Sequence, residues 1–423
     1  MIMTGEYGIE SSGMILGTRE KGTADMIKNF FAFSATDVGY NHIKAGKVCE
    51  DSSSFYDDDV MHLCVIADGH GSDNYPRTDR GSMMAVDAAI KCTVDFVKSA
   101  NVGDVLSDEK HGFPMLLQLS KSILMDWHES VEKDYLADPF TEDELKNVSA
   151  KYRIRYLSEN DKNRTVEKAY GCTLILFVVT AGYSFGLQIG DGKCVVVNKD
   201  GNFSEPIPWD ENCQLNVTTS ICDNDAISEF RFFVMEETPA AVFCGSDGID
   251  DSYANSEELY ALYRSILKIF IDYGDDVGKK EIKEFLPILS KKGSGDDVSI
   301  GLVIDSETVR QLSKKFEIQA ELFNYGEKLK EKKRQLNSNL DKENSLSTRI
   351  KKWLDSDKGS NDNYEEDIQK INELRESRKS IDEDIEEIEK NIQKLKENLA
   401  DEVEKLVQPV MSSNAEQISG KIH

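Results

Sequence analysis

An apolar segment that ends abruptly in a carboxylate constrains the fold of this chain more than any other feature. Leu63–Ala67 is a continuous apolar run with two β-branched side chains, a pattern that predicts a strand buried on both faces. Asp68, Gly69, His70 and Gly71 follow it directly. Such an ending places three groups at the edge of a sheet. They are a carboxylate that only accepts hydrogen bonds, a glycine backbone that a ligand can approach closely, and an imidazole that titrates near neutrality. Taken alone, the tetrapeptide is equally well a polar turn after a core strand.

Length and charge limit the class of the protein and its partners. The 423 residues can hold one large domain of roughly 250–300 residues and an accessory part. A formal net charge of −27 argues against nucleic acid as a partner, because the phosphate backbone carries the same sign. For the same reason an anionic substrate such as a phosphate ester needs local positive charge, which a metal site would supply.

Cysteine usage and hydropathy predict a soluble, cytoplasmic protein without a membrane partner. The eight cysteines are scattered without a C-x-x-C pair, which favours reduced, buried thiols over a disulfide framework or a metal site. The N-terminal residues lack the apolar region of a signal peptide, and the longest apolar run, Leu174–Val179, is too short to span a bilayer.

Hydrophobic periodicity predicts helices grouped between runs of hairpin-connected strands. This grouping indicates an α+β fold with mostly antiparallel sheets and argues against a βαβ repeat. Residues 36–47 are interpreted as a loop and residues 138–165 as a polar surface excursion. The predicted strands are Asn29–Ala35, Ser53–Tyr56, Leu63–Ala67, Cys172–Thr180, Tyr183–Ile189, Lys193–Asn198, Glu229–Met235, Ala241–Cys244 and Val298–Ile304. The predicted helices are Gly81–Lys98, Gly112–Leu136, Glu257–Tyr273 and Lys279–Ser290.

The composition changes sharply near residue 307, where Lys, Glu, Leu, Asn and Gln begin to dominate. Apolar residues then recur at alternating three- and four-residue steps, interrupted by Arg378, as in the heptad seam of a coiled coil. A less regular apolar series precedes the seam, and the polar segment 355–363 separates the two. We therefore predict a long antiparallel helical hairpin. The seam residues are Leu374, Ile381, Ile385, Ile388, Ile392, Leu395 and Leu399.

So long a pair of helices leaves apolar side chains uncovered, which favours docking of a protein partner or self-association. A solvated stalk is the alternative. The predicted organisation has four parts, namely an N-terminal arm over 1–27, a large globular domain over 28–305, the coiled-coil hairpin over 306–408 and a C-terminal tail over 409–423.

Acidic residues stand near three more predicted strands. They are the pair Glu50 and Asp51, then Asp247 and Asp296. No Cys or His cluster with metal-ligand spacing accompanies them, and oxygen-only ligation favours Mg²⁺ or Mn²⁺ over zinc. So many carboxylates stay ionised together only beside bound cations, because mutual repulsion raises their pKa values. Two ions about 3.5–4 Å apart can hold a water between them as hydroxide and neutralise a phosphate during in-line displacement.

Six motifs in order make the chain resemble the metal-dependent type 2C Ser/Thr protein phosphatases, over roughly residues 28–305. The resemblance implies a four-layer α-β-β-α sandwich with a dinuclear cation site at one end. It also implies hydrolysis of phosphoserine or phosphothreonine in a phosphorylated protein, without a phospho-enzyme. The motifs are E-D-S at Glu50–Ser52, V-I-A-D-G-H-G at Val65–Gly71, G-C-T at Gly171–Thr173, I-G-D-G-K at Ile189–Lys193, G-S-D-G-I-D-D at Gly245–Asp251 and G-D-D-V-S-I-G-L-V at Gly295–Val303.

The resemblance further implies a role for each site residue. Asp68 resembles the carboxylate that bridges two Mg²⁺ or Mn²⁺ ions, and Gly69 lends one of them its carbonyl oxygen. Glu50 resembles a ligand reached through water. His70 matches the residue that protonates the departing serine or threonine oxygen, which suits a group that titrates near neutrality. The implied metal ligands are Glu50, Asp51, Asp68, Gly69, Asp247 and Asp296.

The chain also departs from the family pattern. Many members carry an Arg just before the acidic pair to hold the substrate phosphate, whereas only Lys44 and Lys47 lie there, so phosphate docking is expected to be weaker or to rely on a point charge. Some relatives bind a third ion, for which Glu167 is the candidate ligand. His42, Arg77 and Arg80 are candidates to face the cleft, but surface or packing roles are favoured for them; Asp191 is interpreted as a hairpin residue, and Asp250 and Asp297 as turn or neighbouring residues.

Two rival functions remain open at this point. One is a phosphatase-like scaffold or binding protein with little or no catalytic activity, in which the helical hairpin is the working part. The other is a metal-dependent hydrolase of a different phosphoester. The complete acidic set and His70 argue against the scaffold, and the missing Arg argues mildly for it.

Overall fold

The computed structural model describes residues 27–99, 106, 109–158, 165–213, 217–355 and 363–419. Almost all of the predicted N-terminal arm and the last four residues of the predicted tail lie outside these ranges, as does most of the predicted reversal of the hairpin.

Two antiparallel five-stranded sheets form the middle of the fold. In chain order the strands are β1 (Phe30–Asp37), β2 (Ser52–Asp57), β3 (Met61–Ala67), β4 (Leu174–Thr180), β5 (Ser184–Ile189), β6 (Lys193–Val197), β7 (Phe203–Ser204), β8 (Arg231–Met235), β9 (Ala241–Gly245) and β10 (Val298–Asp305). The first sheet has the order β1-β10-β9-β6-β7 and the second the order β2-β3-β4-β5-β8. Their facing sides share one apolar core.

Helices cover both outer faces of the two sheets. They are α1 (Tyr40–Ala45), α2 (Thr78–Lys98), α3 (Glu109–Ala137), α4 (Ala150–Tyr156), α5 (Ala226–Glu229), α6 (Asp247–Asp250), α7 (Ser256–Tyr273), α8 (Asp275–Lys292), α9 (Ser306–Gln311), α10 (Ser313–Leu354) and α11 (Asn363–Ser419). Helices α2 and α3 pack on the second sheet around Trp127. Helices α7 and α8 pack on the first sheet, where Tyr263 stacks on Phe243 with ring centroids 4.3 Å apart. The predicted four-layer α+β sandwich is confirmed.

Strand β3 shows why the apolar run before Asp68 contains no polar side chain. Alternate residues of a strand point to opposite faces of the sheet. Leu63 and Val65 therefore enter the core beneath α2 and α3, while Cys64 and Ile66 enter the core between the two sheets. All seven residues of β3 are buried, so the predicted burial on both faces is confirmed.

Two segments interpreted as irregular are more ordered than their sequence suggests. Helix α1 lies within the predicted loop 36–47. Helix α4 lies within the predicted surface excursion 138–165, and Tyr156 is fully buried there with its hydroxyl donating to Asn74 O at 2.7 Å. The surface interpretation was wrong because a few well-spaced apolar residues anchor a polar segment without producing a periodic pattern.

Helices α10 and α11 form the antiparallel helical hairpin, and cross-helix ion pairs give its alignment. Lys333 Nζ lies 3.1 Å from Glu389 Oε1, and nearer the tip Glu343 accepts from Arg375 Nε at 2.8 Å. Arg378, the polar interruption of the seam, donates to the other oxygen of Glu343 at 2.7 Å. The interruption thus has a partner on the opposite helix.

The hairpin begins inside the core of the sandwich. Val309, Leu312 and Phe316 are buried in the core that α7 and α8 share with the first sheet. Lys315 is buried as well, and its ammonium donates to Asn202 Oδ1 at 2.9 Å. The first turns of α10 therefore fix the hairpin to the sandwich.

Two further predictions from the sequence concern the state of the cysteines and the presence of membrane-spanning helices. All eight cysteines are free thiols, and six of them are buried, as predicted. Within the described ranges, no helix combines the length and the apolarity that crossing a membrane requires.

Candidate metal centre

The predicted acidic residues come from strand ends of both sheets. Asp68 follows β3 and the pair Glu50–Asp51 precedes β2, while Asp247 follows β9 and Asp296 precedes β10. Neighbouring antiparallel strands place the end of one beside the start of the next, as the registers of β2 with β3 and of β9 with β10 show. We call the resulting group the carboxylate cluster; its members are Glu50, Asp51, Asp68, Asp191, Asp247, Asp296 and Asp297.

Two glycines allow the backbone segments of the cluster to approach closely. A Cβ atom on Gly248 would lie 1.9 Å from Asp297 O, and one on Gly69 would lie 2.4 Å from Glu50 O. Any larger residue would push these segments apart. The glycines that follow Asp68 and Asp247 in the motifs therefore let neighbouring strand ends within each sheet approach closely.

The cluster buries like charges beside one another. The pKa of Asp68 is raised well above its usual range, by burial first and then by Asp51 and Asp247. Burial also raises the pKa of Asp247 to about 6, against a hydrogen bond from Asp68 that lowers it. Burial and mutual repulsion therefore favour the protonated form of these two carboxyl groups, as expected for adjacent carboxylates in a low-dielectric site.

Three buried oxygens of the cluster have no hydrogen-bond partner among the described residues. They are Glu50 Oε2, Asp51 Oδ2 and Asp68 Oδ2. Buried acceptors are normally satisfied, and an oxygen-only donor set is what Mg²⁺ and Mn²⁺ prefer. The residues present therefore fit a divalent-cation site.

The side chains are not yet arranged as ligands around one point. Within the described ranges, no group of three or more His, Cys, Asp or Glu side chains has the geometry to hold an ion. Burial favours the protonated forms of Asp68 and Asp247, and metal binding to carboxylates displaces protons.

Asp297 connects the segments of the site. Its carboxylate is buried and accepts from Gly39 N at 2.5 Å and from Glu50 N at 2.6 Å. Its neighbour Asp296 has a side chain that is 57% exposed. Asp296 thus stands at the mouth of the cluster, while Asp297 fixes the backbone that carries Glu50.

His70 occupies a buried niche beside the cluster. Its Nε2 lies 2.8 Å from Ser220 Oγ, and that hydroxyl donates to Cys172 O at 3.0 Å, so Nε2 carries the proton. The ring packs edge-on against Tyr75 at 4.6 Å. Burial lowers the pKa of His70 to about 4. In this arrangement His70 is neutral at pH 7 and does not titrate near neutrality as the sequence suggested.

The two lysines before the acidic pair differ in position. Lys47 Nζ donates to Gly71 O at 2.9 Å and lies 3.5 Å from Glu50 Oε1. Lys44 instead places its ammonium 4.1 Å from the centre of the Tyr40 ring. Of these two lysines, Lys47 is the one that lies at the edge of the cluster.

Sequence reasoning missed two residues of the site. His42 Nδ1 lies 3.0 Å from Asp297 Oδ1, although a surface or packing role was assigned to it. Asp191, interpreted as a hairpin residue, is close enough to raise the pKa of both Asp68 and Asp247. Asp191 follows Gly190 and is itself followed by a glycine, as Asp68 and Asp247 are, and this repeated Asp-Gly pair was the available signal. His42 is not part of such a pair.

Two other candidates lie elsewhere. Glu167 lies beside His128 in a surface groove of about 810 Å³ that α3 lines. Arg77 is 1% exposed and pairs with Glu144 at 2.9 Å, which is the packing role expected for it. Arg80 Nη1 lies 3.1 Å from Asp134 Oδ2.

Three solved structures are similar to this chain over comparable shares of its length. PppA, a key regulatory component of T6SS in Pseudomonas aeruginosa, is 17% identical over 65% of this chain and 97% of its own, with a TM-score of 0.39. Serine/threonine phosphatase Stp1 from Staphylococcus aureus is 16% identical over 70% and 99%, with a TM-score of 0.40. The catalytic domain of serine threonine protein phosphatase PstP in complex with two manganese ions is 13% identical over 65% and 97%, with a TM-score of 0.39. No curated protein matches the chain.

A family model described as protein phosphatase 2C matches residues 38–287. The match covers more than half of the 423 residues, begins directly after β1 and ends within α8. It includes Asp68 and Asp247 and stops before Asp296. Enzymes of this family use Mg²⁺ or Mn²⁺. This chain therefore belongs to the protein phosphatase 2C family and is a protein phosphatase.

Proposed function

We propose that this protein removes phosphate from phosphoserine and phosphothreonine in proteins by direct attack of water, with no phospho-enzyme. The observation that carries the proposal is the set of buried, partnerless oxygens on Glu50, Asp51 and Asp68. A pair of bound Mg²⁺ or Mn²⁺ ions would supply an activated hydroxide between them and neutralise the phosphate oxygens.

The cluster residues would hold these ions in distinct ways. Asp68 is proposed as the bridging ligand and Gly69 as a carbonyl ligand. Asp247 and Asp296 would hold the second ion, and Glu50, with Asp51 beside it, would act through water. The burial that raises the pKa of Asp68 supports this assignment, because a cation offsets the cost of keeping that carboxylate ionised.

His70 is proposed to protonate the departing serine or threonine oxygen. Its Nε2 proton is held by Ser220 Oγ, so donation requires the imidazole to exchange this bond for one to the leaving oxygen. His70→Asn should lower kcat for phosphopeptides more than for an aryl phosphate, whose leaving group needs no proton. Equal losses on the two substrates would refute this role.

Lys47 is proposed to guide the substrate phosphate in place of the missing Arg. Its position beside Gly71 O supports this role, and a single ammonium acts as a point charge without bidentate geometry. Lys47→Ala should raise KM more than it lowers kcat. An unchanged KM would exclude the role.

The helical hairpin is proposed to pair with another protein or with a second copy as a coiled coil. Leu354 at its tip is 62% exposed, and Leu346 and Leu374 line an open groove between α10 and α11. Sedimentation of the full chain against a chain ending near residue 320 would test self-association. We place the enzyme in the cytoplasm because its cysteines are free, which cell fractionation would check.

Phosphate release separates the proposed function from its rivals. The full chain should release phosphate from a chromogenic aryl phosphate with Mn²⁺ and lose this activity in EDTA. Phosphopeptides should be turned over faster than nucleotides. Equal activity with and without EDTA, or none in either, would favour the scaffold; preference for nucleotides would favour another phosphoester hydrolase.

A further inference from the structure

Helix α4 is a basic segment in an otherwise acidic chain. The chain holds 78 acidic and 51 basic residues, yet α4 contains Lys151, Arg153 and Arg155 and no acid. Among the described residues, no carboxylate forms an ion pair with any of these three side chains. Other exposed lysines, such as Lys280 beside Glu284, do have such partners. The described part of the chain therefore leaves the positive charge of α4 uncompensated.

Contacts with the segment that follows Asp68 fix the position of α4. Tyr156 is fully buried, and its hydroxyl donates to Asn74 O at 2.7 Å. Just before the helix, Ser149 N donates to Asn74 Oδ1 at 3.1 Å. Because one residue holds both ends of the helix, the exposed side chains of α4 keep a constant position relative to this segment.

A row of aromatic rings connects α4 with His70. The rings of His70 and Tyr75 have centroids 4.6 Å apart, and the centroids of Tyr75 and Tyr152 are 6.4 Å apart. The ammonium of Lys151 lies 5.6 Å from the centre of the Tyr152 ring. Because an extended peptide advances about 3.3 Å per residue, a peptide bound at His70 reaches Lys151 within about five residues.

The outer surface of α4 combines positive charge with apolar area. Lys151, Ile154 and Arg155 share one face, because residues three and four apart are neighbours on a helix. Ile154 is 72% exposed, and Leu157, directly after the helix, is 51% exposed. We call these four residues the α4 face. An acidic peptide matches its charge, whereas the net charge of −27 repels such a peptide from the chain as a whole.

We propose that the α4 face docks an acidic segment of the phosphoprotein substrate, within about five residues of the phosphoserine or phosphothreonine. The inference rests on the proposed phosphoprotein activity and adds a preference for substrates with Asp or Glu at that distance. Lys151 and Arg155 receive the carboxylates, and Ile154 contacts an apolar side chain of the same segment. The face does not touch the reacting atoms, so it strengthens peptide binding and leaves a small aryl phosphate unaffected.

The test compares three phosphoserine peptides of equal length. One carries glutamates at the fourth and fifth positions on either side of the phosphoserine, and in the other two glutamine or lysine replaces every glutamate. With Mn²⁺, the wild type should show about tenfold higher kcat/KM for the glutamate peptide than for the glutamine peptide, mainly through KM. High salt should reduce this preference.

Charge reversal on α4 separates docking from folding. Lys151→Glu/Arg155→Glu should favour the lysine peptide over the glutamate peptide, with aryl phosphate turnover unchanged. Lys151→Gln/Arg155→Gln should lose the preference for glutamate without gaining one for lysine. Lys280→Glu/Lys314→Glu makes the same charge change at lysines that are 70% and 64% exposed on α8 and α10, and it should match the wild type.

Three results of these assays would overturn the docking role. They are equal kcat/KM for the glutamate and glutamine peptides in the wild type, an unchanged preference in the reversal variant, and loss of aryl phosphate turnover in both α4 variants, which marks a purely structural helix. Capture of the wild type, but not of the reversal variant, by vesicles of phosphatidylserine and phosphatidylcholine would also overturn it, because the face would then bind a membrane. The proposed function fails separately, when the wild type hydrolyses neither the peptides nor the aryl phosphate in Mn²⁺.

Discussion

The carboxylate cluster and the helical hairpin use the same residue types in opposite ways. In the cluster, burial and neighbouring acids raise the pKa of Asp68. In the hairpin, hydrogen bonds from Arg375 and Arg378 lower the pKa of Glu343. The comparison teaches that the cluster costs stability in the absence of a cation and persists because the surrounding fold holds it. In the hairpin, by contrast, Glu343 pairs with two arginines of the opposite helix, and this pairing sets the alignment of the two helices.

The largest effect is expected when the cluster loses its central charge. Asp68→Asn should lower Mn²⁺-dependent phosphopeptide turnover more than about a hundredfold, because removing a direct metal ligand costs more activity than removing a residue that only contacts a ligand. The Tm in EDTA should stay the same or rise, because a repulsive neighbour is removed. Asp272→Asn, on the surface of α7, is the control. Retained turnover would show that Asp68 is not needed for the reaction, and a large fall of Tm in EDTA would show that its charge does not destabilise the metal-free fold.

The next effect tests whether apolar contacts hold the hairpin together. Ile381 is 8% exposed between the helices, so Ile381→Ala should cost about 2–5 kcal/mol of local stability. Amide exchange in α10 and α11 should accelerate while aryl phosphate turnover stays unchanged. Ile368→Ala, at a position 37% exposed, should have a much smaller effect. Equal exchange in both variants would contradict this view of the hairpin.

A third prediction uses a paired carboxylate within the sandwich. Burial opposes ionisation of Glu144, yet hydrogen bonds from Arg77 lower its pKa to about 2, from 4.5. A carboxyl group whose pKa is lower in the folded state than in the unfolded state stabilises the fold at pH values above its unfolded pKa. This contribution is lost as the pH falls from 4.5 toward 2. Glu144→Gln should therefore cost about 1 kcal/mol at pH 7, allowing for partial exposure.

The measurement is the urea midpoint of both proteins at pH 7 and pH 3. The difference between wild type and Glu144→Gln should shrink at pH 3. Glu129→Gln, whose partner Lys133 lies on the same helix with both side chains exposed, should show little difference at either pH. A difference that grows at low pH would contradict the assigned sign.

The smallest effect is expected for a single surface pair of the hairpin. Lys332 Nζ lies 2.6 Å from Asp384 Oδ2, with both side chains partly exposed. Lys332→Ala should change the free energy of unfolding by less than about 1 kcal/mol, and salt should reduce even that. Denaturation at low and high salt would measure it. A change above about 2 kcal/mol would mean that charge, and not the apolar seam, holds the helices together.

Strong periodic patterns predicted most of the regular elements. Strands β3 and β4 and helices α2 and α7 follow from their apolar spacing, because each buries a whole face, and α11 follows from its heptad seam. Helices α1 and α4 did not follow, since a short helix held by backbone hydrogen bonds or a few aromatic contacts has no period to detect.

The site could be predicted in part for the same reason. Asp68 and Asp247 were recognisable because each ends a buried strand and precedes a glycine. His42 was not, because nothing near it in sequence points to a carboxylate partner, and the Asp-Gly pair at Asp191 was interpreted as part of a hairpin. The neutral state of His70 also escaped prediction, since it depends on burial by residues distant in the chain.

The sequence alone determined the order of strands and helices, the acidic residues at the strand ends and the alternating seam of the hairpin, because local spacing encodes which side chains become buried. The tertiary structure decided which acids share one space, which lysine reaches them and which tautomer an imidazole adopts. Those outcomes depend on packing between residues distant in the chain, where a glycine contact or a backbone hydrogen bond sets distances that no local pattern contains.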